Sequence, residues 1–252
     1  MTEVTAISGF FNRYSMVARY YPALLAIAPL IWTPAVLVPD FFSDFRKWSG
    51  SIIVFSAVLY LVASLARSRG KFVEKHLIQR WGGWPTTLVL RHRDSVVDPI
   101  TKARYHRSLA AISGIHSLPA PMEEAADPTM ADNLYRSATK RLIELRRGRA
   151  FRMLEDENAS YGFRRNLFGL KWTAVCIALV AAGATAIVWW NSFGRPSNVT
   201  TLLQAVSAGA RFPALFCVDL IYATAMLCAV THRFVEQAAY EYAAALFRTL
   251  DQ

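Results

Sequence analysis

Residues 20–38 read YYPALLAIAPLIWTPAVLV and residues 172–190 read WTAVCIALVAAGATAIVWW, with no charged side chain in either stretch. Two further apolar stretches lie near them in the chain, at 50–66 and 212–230, and their only charge is Asp219. Each stretch is close to the ~20 residues that a helix needs to cross ~30 Å of hydrocarbon. We therefore expect four membrane-spanning helices arranged as two hairpins.

The composition favours a membrane protein over a soluble one. Apolar residues make up 54% of the 252 residues, and the mean hydropathy is +0.25. A soluble protein with a buried helix pair does not need four nearly uncharged runs of this length. We expect an all-α protein in four parts: an amino-terminal arm with the first hairpin (1–66), a basic central domain (67–171), the second hairpin (172–231) and a carboxy-terminal helix (232–252).

Basic residues are concentrated on one side of the predicted spans. Residues 67–171 hold 20 of the 28 lysines and arginines and 11 acidic residues, so they carry +9 of the net charge of +10. The loops inside the two hairpins hold only four basic residues: Arg46, Lys47, Arg195 and Arg211. Because lysine and arginine accumulate on the cytoplasmic side of a membrane, we expect both termini and the central domain to be cytoplasmic.

Helix-start signals predict a mostly helical central domain. Asp98-Pro99 and Asp127-Pro128 each combine a capping carboxylate with a proline at the first helical position. A helix over about 99–113 should follow the first signal, then a loop over 114–126, and a second helix should follow Asp127-Pro128. The apolar residues after the second signal recur at helical spacing.

A turn signal precedes these helices. Gly82 and Gly83 permit turn dihedral angles, and Pro85 favours an extended backbone at Trp84. The segment 86–90 that follows fits either a short strand or the entry to a helix.

The first span contains four prolines, Pro22, Pro29, Pro34 and Pro39. A proline inside a helix frees a backbone carbonyl and kinks the helix, and in a membrane neighbouring helices or water must then satisfy the freed group. Two interpretations stay open: a kinked packing helix, and a hinge or a bend that lines a pore.

Asp219 is the first candidate functional residue. It follows Phe212 by seven residues, which places it ~10 Å into the membrane at a rise of about 1.5 Å per residue. A carboxylate at this depth must face protein or water. It either contributes to a ring of carboxylates in an oligomeric pore, which would favour cations, or accepts hydrogen bonds from a neighbouring helix. Arg211 is too far away to pair with it fully.

The second candidate is a basic surface on the central domain. Such a surface binds anionic lipid, or it binds the phosphates of a nucleotide or a single strand with Trp81, Trp84, Tyr105 and Tyr135 available for stacking. A solvated face with no ligand is the third interpretation. The candidate ligand-binding residues are Arg91, Arg93, Lys102, Arg104, Arg107, Arg146, Arg147 and Arg149.

The third candidate is the segment directly before the third span, which contains Tyr161, Gly162, Arg164 and Arg165. If ligand binding moves the central helices, this segment is the mechanical link to the membrane. The alternative is an interfacial anchor whose arginines extend to lipid phosphates.

Signals for catalysis are weak. The chain has no GxSxG motif, no glycine-rich phosphate loop, no HExxH motif and no paired-cysteine motif. We expect a protein that is not an enzyme and that needs neither a metal nor a cofactor.

The stretches Trp81-Gly82-Gly83-Trp84-Pro85-Thr86-Thr87 and Tyr161-Gly162-Phe163-Arg164-Arg165-Asn166 look like family signatures. With the four spans and the basic centre, the whole-chain plan resembles the membrane effectors of bacterial anti-phage defence, and among them the channel-like effector of the Hailong system. The resemblance implies a bacterial inner-membrane complex held in check by short single-stranded DNA from a partner nucleotidyltransferase. No ligand-binding residue is carried over from it.

These observations lead to one main hypothesis and two alternatives. The main one is a homo-oligomeric ion channel, cyclic and for example a tetramer, gated by a nucleotide or single-stranded DNA on its central domain and acting in anti-phage defence. The alternatives are a membrane scaffold that recruits a partner protein, and a small transporter, which would require internal repeats that the two hairpins lack.

Overall fold

We describe a computed structural model that covers residues 13–38, 51–194 and 198–251. In this part every regular element is helical and no β-strand occurs, so the predicted all-α class is confirmed for it. The expectations for Pro39, Arg46, Lys47 and Arg195 concern residues outside the described part. The helices are, in chain order, α1 (Arg13–Leu37), α2 (Ser51–Trp81), α3 (Pro85–Leu88), α4 (Pro99–Ser113), α5 (Pro121–Ala126), α6 (Pro128–Leu145), α7 (Arg152–Phe193), α8 (Val199–Ala208), α9 (Arg211–Ala229) and α10 (His232–Arg248).

Four of these helices, α1, α2, α7 and α9, are long and apolar enough to cross a membrane. They contain the four apolar stretches that the sequence marks as spans. With 31 and 42 residues, α2 and α7 are longer than the ~20 residues that a span needs. Each therefore has a polar extension beyond its apolar part, and these extensions lead toward the central region.

The predicted helix starts are confirmed in atomic detail. The Asp98 carboxylate accepts a hydrogen bond from the Thr101 amide at 2.9 Å, and the Asp127 carboxylate accepts one from the Met130 amide at 2.9 Å. Each caps the first turn of a helix that begins with proline. The expected loop over 114–126 is wrong in its second half, because it contains α5.

The turn before α3 also has its predicted geometry. Gly82 and Gly83 have φ angles of +80° and +152°, and Trp84 is extended with ψ of 133°. The segment 86–90 is not a strand, because Pro85 starts a helical turn whose amides bond back to the Trp84 carbonyl. The turn therefore ends α2 and redirects the chain at a fixed angle.

The central helices enclose one apolar core, and we call this part the head domain: α3 to α6, the first turns of α7, and α10. Tyr135 and Phe247 are fully buried in it, and the Phe247 ring stacks on Tyr105 with centroids 5.4 Å apart. The sequence division treats 232–252 as a separate part, whereas α10 packs into this core. Burial of such aromatic side chains is worth about 1.5–3 kcal/mol each.

Helix α7 is the centre of the apolar bundle, since it contacts α1, α2, α9 and α10. Glycines allow two of these contacts to be close. A Cβ atom on Gly169 would lie 2.7 Å from the Gly70 amide nitrogen of α2, and one on Gly162 would lie 2.8 Å from the Ala18 Cβ of α1. The backbones of α2 and α7 therefore meet directly where the apolar parts end.

This crossing is testable with two identical substitutions in one helix. Gly169→Ala should lower the thermal unfolding midpoint in detergent, because overpacking a tight contact typically destabilises by about 1–3 kcal/mol. Gly183→Ala is the control: a Cβ atom there meets nothing within 4 Å, and alanine favours the helix by up to about 1 kcal/mol. Equal midpoints for the two variants would contradict the close crossing.

Candidate functional site

Asp219 lies at the contact between α9 and α1. Its side chain is 0% exposed and accepts hydrogen bonds from the Trp32 indole N–H at 2.7 Å and from the Thr33 hydroxyl at 3.4 Å. These are the bonds expected for a carboxylate that a neighbouring helix holds. A place for Asp219 in a pore ring stays a prediction. In the single chain its carboxylate is fully buried and does not reach the surface.

One turn further along α9, Tyr222 makes a second polar contact with α1. Its hydroxyl donates a hydrogen bond to the Leu25 carbonyl. Pro29 has no amide hydrogen, so the usual helical bond to that carbonyl is missing. The Tyr222 ring also meets Trp32 edge-on, with centroids 5.3 Å apart. The Ala28 amide still reaches the Leu25 carbonyl at 3.2 Å, and the Tyr222 hydroxyl adds a second donor to it from α9.

The same logic applies where α1 meets α7. Pro22 leaves the Ala18 carbonyl without its normal donor, and the Asn166 side-chain amide donates to that carbonyl at 2.6 Å. Asn166 is fully buried. A π-helical turn over Met16–Tyr20 surrounds the contact, and such turns are common at functional positions.

Beside Asn166 lies an ion pair between α2 and α7. The Glu74 carboxylate accepts hydrogen bonds from the Tyr161 hydroxyl at 2.7 Å and from the Arg165 guanidinium at 2.8 Å. The side chains of Arg165 and Glu74 are only 11% and 13% exposed. Arg165 also donates to the Asn166 side-chain oxygen at 3.3 Å. We call Glu74, Tyr161, Arg165, Asn166 and the Ala18 carbonyl the junction.

Arg164 extends the junction to α10. Its guanidinium donates to the Phe234 carbonyl at 3.2 Å, lies over the Phe234 ring and pairs with Glu241 at 3.5 Å. All four residues predicted for the coupling segment thus contact other helices, with Gly162 against Ala18. The inward contacts of Arg165 do not fit an arginine that extends to lipid.

The junction generates a quantitative prediction. Breaking a buried ion pair by removing one partner typically costs about 3–5 kcal/mol, so a double-mutant cycle of Glu74→Gln and Arg165→Gln should give a coupling energy of about 2 kcal/mol or more. The measurement is the free energy of unfolding in mixed micelles.

The matched control is an exposed ion pair at the start of the same helix. Arg13 and Asp156 lie 2.8 Å apart with side chains 59% and 39% exposed. Their cycle should give only about 0.2–1 kcal/mol. A Glu74–Arg165 coupling no larger than this control would show that the junction does not hold the helices together.

The predicted basic surface is divided by the fold. Arg91 pairs with Asp132 at 2.6 Å and Arg93 pairs with the same carboxylate at 2.9 Å, while Lys102 is buried and donates to the Arg91 and Asp94 carbonyls. Burial alone would lower the pKa of Arg91, but the hydrogen bond and the charge of Asp132 outweigh it and leave the pKa raised. These three charges stabilise the head domain internally.

The other predicted basic residues are scattered. Arg104 pairs with Asp251 at 3.3 Å, and Arg146 donates to the Thr249 carbonyl and lies over the Phe151 ring. Arg107 and Arg147 are exposed. The side chain of Arg149 lies outside the described part. Among the described residues of this set, only Arg91, Arg93 and Lys102 lie in one contact network. Ligand binding by all eight predicted residues therefore stays a prediction.

Sequence reasoning missed Glu124, which the fold buries in the head domain. Its carboxylate accepts hydrogen bonds from the His92 and Arg93 amides, the Arg93 guanidinium and the Tyr135 hydroxyl, at 2.7 to 3.2 Å. Burial alone would raise the pKa of Glu124, but these donors outweigh it and lower the pKa to about 2. No sequence motif marks this residue, because its donors come from a distant loop and from α6.

The Glu124 network predicts a pH dependence. The folded-state pKa lies below the ordinary value of 4.5, so Glu124 contributes stability above pH 4.5, and this contribution is lost as the pH falls toward about 2. Glu124→Gln should lower the unfolding midpoint at pH 7, since hydrogen bonds to a charged group contribute about 1.5–3 kcal/mol. The variant should also show a flatter pH profile between about pH 4.5 and 2.

Glu123→Gln is the control for that profile. Glu123 is an exposed neighbour in the same helix that accepts only the Ala120 amide. Its variant should follow the wild-type pH profile in thermal unfolding followed by circular dichroism. A wild-type profile for Glu124→Gln as well would contradict the buried-carboxylate account.

No metal centre or known relative adds to these contacts. Among the described residues, no group of three or more histidine, cysteine, aspartate or glutamate side chains is placed to hold a metal ion. Comparisons with protein-family models, curated proteins and solved structures give no match to this chain.

Proposed function

We propose that this chain is a membrane protein that assembles as a homo-oligomeric ion channel and is gated through its head domain. The observation that carries the proposal is the junction. Helix α7 runs without a break from the head domain, and α2 from the turn that leads into it, through apolar segments long enough to cross a membrane. At the boundary, the Glu74–Arg165 ion pair joins them and Asn166 joins α7 to α1. A movement of the head therefore reaches three spans together.

The proposed orientation places the head domain and both termini in the cytoplasm. Basic residues follow the apolar part of α2 and precede that of α7, as the positive-inside bias favours. Lys171 donates to the Leu227 carbonyl at 2.9 Å, so a positive charge lies at the carboxyl end of α9, where the helix dipole favours it. The two predicted hairpins belong to this proposal.

Two features of the single chain support assembly from several copies: the space between α7 and α9 is filled, and part of α2 is exposed. Small apolar side chains such as Ala174, Ala178 and Ala223 fill the space between α7 and α9, which leaves little room for a hydrated ion. The outer half of α2, by contrast, is exposed on nearly every side over residues 53–62. Lipid or another copy must cover these apolar faces, and a water path between copies is the usual solution in cyclic channels.

The ligand and the biological role are proposed on different grounds. The basic head domain favours an anionic ligand, and the resemblance to the Hailong effector favours a nucleotide or short single-stranded DNA made by a partner nucleotidyltransferase. In this proposal the protein acts in the inner membrane of a bacterium during anti-phage defence, where opening collapses ion gradients. A nucleotidyltransferase gene beside this one would support that role.

A scaffold is the second candidate, because the head domain exposes large apolar side chains. Ile100 and Met122 are both 84% exposed at the starts of α4 and α5. Exposed apolar residues on a folded domain are typical of a contact with a partner protein when they form a patch. A scaffold needs neither a cyclic oligomer nor a water path.

Reconstitution into liposomes distinguishes these functions. The wild-type protein should pass K⁺ or a small dye, and a short oligothymidylate or a nucleoside monophosphate should change the rate. Glu74→Gln should weaken that ligand dependence, because it disconnects α2 from α7, while Asp156→Asn should preserve it. A folded protein that gives no flux under any of these conditions would exclude the channel and favour the scaffold.

The same assay decides the role of Asp219. If the carboxylate lines the path in the oligomer, Asp219→Asn should reduce the preference for cations over anions. If it only bonds Trp32 and Thr33, selectivity should stay at the wild-type ratio, and Asp219 is then excluded from the path.

A further inference from the structure

A groove of about 550 Å³ lies on the head domain between α3 and α6. This volume is in the range typical of small-molecule sites. The groove is separate from the Asp219 contact and from the junction. Trp84 and Thr86 line one side, and the other side is lined by residues of α6: Asn133, Arg136, Ser137, Thr139, Lys140 and Ile143.

Two of these residues offer positive charge to a ligand. Arg136 and Lys140 are exposed and stand four residues apart on α6, so they point to the same side of the helix. In the described part of the chain neither has a hydrogen bond or an ion pair. Asp132, four residues before Arg136, is already paired with Arg91 and Arg93. The two cations are therefore available to an anion.

The fold also holds an aromatic ring at the groove. Trp84 is 37% exposed, and the turn at Gly82 and Gly83 fixes its place. Arg91 braces this turn by donating to the Gly82 carbonyl at 3.0 Å, and its guanidinium fits against Gly83, where a Cβ atom would lie only 2.9 Å away. Of the four aromatic residues that the sequence offers for stacking, Tyr105 and Tyr135 are buried in the core and Trp81 is partly buried against α10.

A buried hydroxyl adds an unused polar group. Thr139 lines the groove with 3% exposure, and its hydroxyl oxygen has no hydrogen-bond partner among the described residues. Buried polar groups in proteins are nearly always hydrogen-bonded. Asn133 and Ser137 of the same helix also line the groove and provide exposed amide and hydroxyl groups.

We propose that this groove binds a nucleotide unit, with the base stacked on Trp84 and the phosphate held by Arg136 and Lys140. A guanidinium can hold phosphate oxygens in a bidentate manner, and stacking on an aromatic ring tolerates any base. The polar groups of Asn133, Ser137 and Thr139 lie where a sugar or a base edge would need partners. The assignment of this groove as the site of the gating ligand rests on the proposed function, whereas nucleotide binding in the groove does not. Arg91 is then a positioning residue for Trp84.

Equilibrium binding to the full-length protein in nanodiscs tests the groove without any measurement of current. The probes are the four nucleoside monophosphates, a hexathymidylate, adenosine, inorganic phosphate and glycerol 3-phosphate, each competing with a fluorescent nucleotide at fixed salt. The two nucleotide classes should bind about tenfold or more tightly than the last three, because only they offer both a base and a phosphate. Whether the nucleoside monophosphates or the hexathymidylate bind more tightly shows whether the groove prefers a free nucleotide or a single strand.

Variants locate the site. Arg136→Gln with Lys140→Gln should weaken nucleotide binding about tenfold or more, and so should Trp84→Leu, while Trp84→Phe should retain most of the affinity because it keeps a ring. Lys75→Gln with Arg248→Gln is the control: it removes the same charge from exposed residues outside the groove and should change affinity less than about threefold.

Several results would overturn the site. They are the absence of nucleotide binding by the wild type, equal binding of inorganic phosphate or of the lipid headgroup mimic glycerol 3-phosphate, and equal losses in the control and groove variants. Photolabelling of the wild type with an azido nucleotide gives a check free of folding effects, and labels outside 84–88 and 133–143 would also refute the site. Flux gated by a nucleotide but unaffected by groove variants would refute the groove and leave the channel. Nucleotide binding in the groove without flux through the membrane would refute the channel and leave the groove as a binding site.

Discussion

A backbone carbonyl inside an apolar bundle needs a donor, and each of the three prolines in α1, Pro22, Pro29 and Pro34, removes one amide donor. Pro22 and Pro29 leave the carbonyls of Ala18 and Leu25 without their usual amide partners four residues on, although the Ala28 amide reaches the Leu25 carbonyl at 3.2 Å. Asn166 of α7 and Tyr222 of α9 supply the missing hydrogens. The irregular first helix is thereby tied to both later spans by bonds that neither an uninterrupted α1 nor apolar partners would form.

The same principle governs the charged groups where the bundle meets the head. Glu74 and Arg165 are both nearly buried, and each has further hydrogen bonds, to Tyr161 and to Asn166. A buried ion pair contributes little net stability compared with an apolar pair of the same shape. Its effect is on geometry, because any sliding of α2 along α7 would leave a charge without a partner. The glycine contact at Gly169 removes the side chains that would otherwise keep the two backbones apart.

In the basic head domain, some cations pair with groups of the domain itself and others stay available to a ligand. Arg91, Arg93 and Lys102 bond to carboxylates and carbonyls of the head itself, and Arg91 also braces the turn that carries Trp84. Arg136 and Lys140 were not singled out by the sequence, although they lie on the polar face of a helix whose apolar face was recognised. Net charge counts the cations of a domain, whereas the availability of each cation depends on which carboxylates the fold brings near.

The amino-acid sequence by itself determined the local features: four apolar helices, the capped starts at Asp98 and Asp127, the glycine turn before Trp84, and the need of the α1 prolines for outside donors. Each of these follows from hydrophobic length, capping chemistry or the backbone of one or two residues, so neighbours in the chain are sufficient. Only the tertiary structure decided that Asp219 bonds Trp32, that Glu74 meets Arg165 and that Glu124 is buried among four donors. Such pairs lie 11 to 187 residues apart, and packing of whole helices, which no local pattern encodes, brings them together.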